Sequence, residues 1–154
     1  MPLRIKWFQG KYSTILLMFF GIAGLFQAIF IAIGEFASDV GSDYAVTLIP
    51  VIVTLCIGFS SGILYEARLQ QQKRVQHHRK YQKTLGVFQR NELFLPILVP
   101  LIAFAALFFP TFYLVVLGTT PLASFIIAEN VGAIGTLVIA SVLEKTYAPH
   151  ANPY

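Results

Sequence analysis

The stretch "LFLPILVPLIAFAALFFPTFYLVVLGTTPLASFIIAENVGAIGTLVIASVL", residues 93–143, holds two apolar runs, 93–117 and 122–143, separated only by GTTP. Each run reaches the roughly 20 residues that an α-helix needs to cross a hydrocarbon core of about 30 Å. A join this short makes the two helices antiparallel neighbours. Thr120 suits a helix N-cap and Pro121 the first helical position, where a missing N–H does no harm.

Two more apolar runs precede this hairpin, 15–33 and 45–64. The chain of 154 residues is 56% hydrophobic and 12% charged, against about 25% charge in soluble domains. The reading is an all-α, polytopic membrane protein: a single domain of four transmembrane helices in a compact bundle. The longest polar piece, 65–92, is too short for a soluble domain, since domains below about 40 residues generally need metals or disulfides. Arg4 and Lys6 before the first apolar run, with the small-x-small pair Ala32 and Gly34 at its end, resemble a signal peptide. That run is longer than the usual core of about 7 to 15 residues and is interrupted by Gln27, so the first helix is expected to be retained. Cys56 lies within the second span as a small apolar side chain.

Charge orients the bundle through the Lys and Arg bias of short loops. Arg4, Lys6 and Lys11 precede the first span, and Glu35, Asp39 and Asp43 follow it. Arg68, Lys73, Arg74, Arg79, Lys80, Lys83 and Arg90 crowd the middle segment. Both termini and the middle segment are therefore expected on the cytoplasmic side, or its organellar equivalent. Residues 65–85 contain no Gly or Pro, which predicts a helical extension of the second span into the cytoplasm, broken at Gly86. Its basic side chains would meet anionic lipid headgroups, each contributing about 1 kcal/mol. Topology accounts for that charge, so nucleic acid is not an expected partner. Pro96, Pro100 and Pro110 predict a kinked third helix.

Small residues recur at every fourth place in the last span: Ser124, Ala128, Gly132, Thr136 and Ala140. Gly24, Ala28 and Ala32 do so in the first, and Thr54, Gly58 and Gly62 in the second. Within lipid, close backbone approach over small residues is a main source of helix association, so these are candidate packing faces. Depth singles out a second set. Glu129 lies about 10 Å from the outer end of the last span and Gln27 about 9 Å from that of the first. Asn130, Thr111, Tyr113 and the somewhat deeper Thr54 share that outer region. An unpaired polar group in hydrocarbon costs several kcal/mol and an ionised one more, so these side chains are expected to turn inward and meet in one layer. Glu129 is either a proton, cation or ligand site or a clasp that fixes helix register.

The segment "AENVGAIGTLVIA", 128–140, resembles the carboxylate-bearing helix of rotary ATPase proteolipid subunits, where an acid followed by spaced glycines carries the ion. The resemblance implies an ion site at Glu129. It covers one helix, while the first and third spans lack the glycine-dense packing of those rings and Glu129 follows its hairpin more closely.

No Ser-His-Asp grouping, CxxC, HExxH or phosphate-binding glycine loop is present. His77 and His78 point about 100° apart on a helix and form no metal clamp. No enzyme activity, metal or cofactor is expected. The leading expectation is a small accessory subunit that packs against partner transmembrane helices, from other subunits or further copies. A transport or ligand-binding protein centred on Glu129 is the alternative. A serpentine-receptor fragment, with 65–92 as its long cytoplasmic loop, is the third.

Overall fold

A computed structural model describes the backbone over residues 11–37, 44–78 and 88–147, and side chains over 13–35, 44–70 and 94–146. The described residues form four helices: α1 (Lys11–Ala32), α2 (Tyr44–His78), α3 (Phe88–Val116) and α4 (Pro121–Tyr147). A wider π-helical turn, Ile33–Ala37, closes α1. All four are long and apolar enough to span a bilayer.

The helices overrun the apolar segments at their polar ends. α2 runs unbroken to His78, so the extension beyond residue 64 is helical that far. Gly86, the expected break, lies outside the described residues, as do Asp39, Asp43 and the first ten residues. α3 passes through Pro96, Pro100 and Pro110 as one continuous helix. A fourth proline, Pro50, lies inside α2; each of these removes an intrahelical donor.

The α3–α4 join follows its residue chemistry. Gly118 N–H donates to the Val115 carbonyl at 3.0 Å, and Ala123 N–H reaches Thr120 Oγ1 at 3.4 Å. Thr120 thus caps α4 and Pro121 begins it. This α3–α4 turn marks one end of the bundle, the turn end.

α2 packs against each of the other three helices, α3 pairs with α4, and α1 lies chiefly along α2. The interior is aromatic. Phe30 of α1 stands edge-on to Phe104 and Phe108 of α3, with centroids at 5.1 and 4.7 Å. Phe108 meets Phe125 of α4 at 5.7 Å. Such pairs add roughly 0.5–1.5 kcal/mol beyond buried area. Glycines admit the rings: a Cβ at Gly132 would stand 2.7 Å from the Phe104 ring, and one at Gly58 would overlap that of Phe20. The outside is as apolar as the inside, with Leu25, Leu48, Leu114 and Ile134 all exposed. That inversion suits a protein solvated by lipid acyl chains, since water would penalise so wide an apolar surface.

Candidate intramembrane site

Periodicity places Glu129 on the face of α4 that turns inward. Ser124, Ala128, Gly132, Thr136 and Ala140 are all buried, and Glu129 shares their side of the helix with no exposed surface. The five-residue stripe is therefore occupied within this chain, with Gly132 against Phe104. On α2, Gly58 and Gly62 are buried as well. α1 differs. Gly24 meets the Thr54 methyl at 3.8 Å, but Ala28 and Ala32 face outward, together with Gly21 and Leu25.

Of the residues expected in the polar layer, Gln27 and Glu129 are the two that are fully buried. Gln27 on α1 and Glu129 on α4 are buried at 2% and 0% exposure. Neither the amide of Gln27 nor either carboxyl oxygen of Glu129 has a hydrogen-bond partner among the described residues. Asn130 does not join them, because adjacent residues on a helix point about 100° apart. It lies exposed, and its Nδ2 donates to the Ile126 carbonyl at 2.8 Å. Tyr113 is exposed for the same reason, next to buried Phe112. Thr111 Oγ1 donates to the Leu107 carbonyl at 2.7 Å and Thr54 Oγ1 to that of Pro50 at 2.8 Å, both half-buried.

Contacts along the bundle set the depth of the remaining pair. Gly34, in the π-helical turn, faces the Phe125 ring, 2.9 Å from a Cβ built there. Gln27 is seven residues below Gly34 and Glu129 four beyond Phe125, so they lie at levels within about 4 Å of each other. Both sit one or two turns beneath the Phe30, Phe108 and Phe125 rings. Between 13 and 35, 44 and 67, 94 and 116, and 121 and 143 there is no Lys, Arg or His. The described residues thus enclose an acid and an amide at similar depth, and within these helix spans no basic side chain neutralises the acid.

Two buried residues escaped the sequence reading. Ser60 and Ser61, from "GFSSG" at 58–62, have no exposed surface and donate to the carbonyls of Cys56 and Ile57 at 2.8 and 2.9 Å. The signal was visible, as two hydroxyls between two glycines inside an apolar run.

The described residues form four helices with an apolar outer surface that suits lipid, enclosing a buried acid on α4 and a buried amide on α1 at similar depth. No protein-family model matches the chain, and neither a curated protein nor a solved structure is similar to it.

Proposed function

We propose that this chain is a non-enzymatic integral membrane protein whose activity is transport or ligand binding at an interior site formed by Glu129 and Gln27. One observation carries this reading: a fully buried carboxyl group and a buried amide, at one depth, without hydrogen-bond partners among the described residues. An unsatisfied polar group in an apolar medium costs several kcal/mol. A clasp between helices would be expected to spend those groups on one another or on neighbouring hydroxyls. A site that takes up a proton, a cation or a cationic headgroup keeps them free for it.

For the accessory-subunit reading, the stripe of α4 is taken up by contacts inside this chain and supports no outside partner. The small extramembrane mass and the lack of a catalytic motif still support it, as does the outward face of α1, where Gly21, Ala28 and Ala32 leave room for a partner helix. Both termini and the α2 extension are assigned to the cytoplasmic side on charge.

Native purification followed by mass spectrometry separates the two readings. The site reading expects the chain alone or as copies of itself. A stoichiometric complex with a different membrane subunit would favour the accessory reading. Glu129→Gln refines the result by keeping the side chain's shape: a clasp tolerates it fully, while a site assembles normally and loses its ligand.

A further inference from the structure

Among the described residues, six buried side chains have polar heads: Gln27, Ser60, Ser61, Ser124, Glu129 and Thr136. The four hydroxyls each donate to their own helix. Ser124 Oγ donates to the Thr120 carbonyl at 3.0 Å and also lies 2.9 Å from Thr119 Oγ1, a hydrogen bond in which either hydroxyl can donate; Thr136 Oγ1 donates to the Gly132 carbonyl at 2.7 Å, as Ser60 and Ser61 do to Cys56 and Ile57. A hydroxyl has one hydrogen and two lone pairs. With the hydrogen committed to a carbonyl, it offers the interior oxygen lone pairs only. Thr54, half-buried, is disposed the same way toward Pro50.

Depth puts these oxygens in order. Gly24 lies beside Thr54, Gly58 beside Phe20, and Gly34 beside Phe125, which ties α1, α2 and α4 to one scale. At 1.5 Å per residue, Ser124 lies about 12 Å from Gln27 toward the turn end, and Glu129 about 4 Å. Thr54 and Thr136 lie about 5 Å from Gln27 on the opposite side, and Ser60 and Ser61 about 14 Å. The file covers about 26 Å, close to the roughly 30 Å of a hydrocarbon core. Glu129 and Gln27 occupy its middle.

We propose that these oxygens form a path across the bundle for a small monovalent cation, with Glu129 and Gln27 as its occluded central station. The proposal rests on Glu129 being the site described above and adds the ligand class and the route. Oxygen donors suit hard cations, and a hydroxyl whose hydrogen is committed to a carbonyl has none to offer an anion. One carboxylate balances one positive charge. A divalent ion would leave a charge uncompensated in a low-dielectric interior, at a cost of several kcal/mol. Sodium and the proton share the remaining chemistry. Because Glu129 has no exposed surface, the station is shut toward both ends, and passage requires it to open, as in a carrier.

The test uses the full-length chain in phosphatidylcholine–phosphatidylglycerol vesicles, with separate dye readouts for sodium, proton and chloride flux. Wild type should pass sodium or protons and exclude chloride, and Glu129→Gln should abolish the flux. Thr136→Val and Ser61→Ala should slow it by about tenfold, the effect of losing one hydrogen-bonding oxygen on a charged species. Thr136→Ser should retain the rate. Each hydroxyl donates within its own helix, so these variants should fold as monodisperse protein. Wild-type rates in both hydroxyl variants would overturn the path while leaving Glu129 as a site. No cation flux above that of empty vesicles, or flux of chloride, would overturn the proposal. Ion-dependent stability of the detergent-solubilised protein, lost in Glu129→Gln, would then show whether the site reading survives it.

Discussion

Gly132→Ala adds one methyl group where α4 meets α3. The new Cβ would lie 2.7 and 2.8 Å from two atoms of the Phe104 ring, well inside ordinary carbon–carbon contact of about 3.5–4.0 Å. The ring has nowhere to go. Phe104 is fully buried, stacks on Phe108 at 5.8 Å, and stands edge-on to Phe30 and Phe26. Overpacking of this kind costs about 1–3 kcal/mol, and Gly132→Leu should cost more and part the two helices. Two glycines serve as controls. A Cβ at Gly135 would overlap Cδ1 at the flexible end of Leu107, with Cγ at 3.5 Å, where a rotation of the leucine relieves the contact; one at Gly21 meets nothing within 4 Å. Gly135→Ala should therefore cost less than Gly132→Ala, and Gly21→Ala should be neutral or slightly stabilising. Unfolding in mixed detergent micelles, with loss of monodisperse protein as the readout, measures the series. Equal tolerance of Gly132→Ala and Gly21→Ala would refute the packing described for the α3–α4 interface.

Orientation is open to labelling in a background where Cys56 is replaced. Gly41→Cys should react with an impermeant thiol reagent only from outside and Gln76→Cys only from inside, and the reverse pattern would overturn the charge assignment. Spin-label distances along α3 should report a bend around Pro100 and Pro110, whereas a straight rod would show that neighbouring groups absorb the missing donors. Substituting Leu for the outward Ala28 should leave the isolated bundle unchanged. A loss of stability in detergent would show that this face is covered by another part of the assembly.

The helices were legible because each signal was local and repeated. Runs of about 20 apolar residues have no reading but a helix in lipid, and GTTP carried its cap and first-turn proline in plain order. Inward and outward faces were only partly legible. The stripe of α4 and the glycines of α2 turn inward, but Ala28 and Ala32, at the same spacing, turn outward. Spacing says that small residues share a side of a helix and nothing about which neighbour lies there. The polar layer shows the same limit. Depth gathered Glu129, Gln27, Asn130, Thr111, Tyr113 and Thr54 at similar levels, and rotation about each helix axis then separated them. Asn130 and Tyr113 each adjoin a residue that is buried, which sends them to the outside. Ser and Thr hid a further feature, because a hydroxyl bonded to its own helix adds little to an apolar profile.

The most direct test is the thermal stability of the purified protein in detergent, titrated with sodium and with acid against a choline background. A ligand that binds only the folded state stabilises it by about 2.7 kcal/mol at a hundred times its dissociation constant. With Glu129 as an interior cation station, the unfolding midpoint of wild type should rise with one of the two ions, and Glu129→Gln should fold but lose that response. A Glu129→Ala protein that folds, assembles and responds to the ion as wild type does would contradict the account.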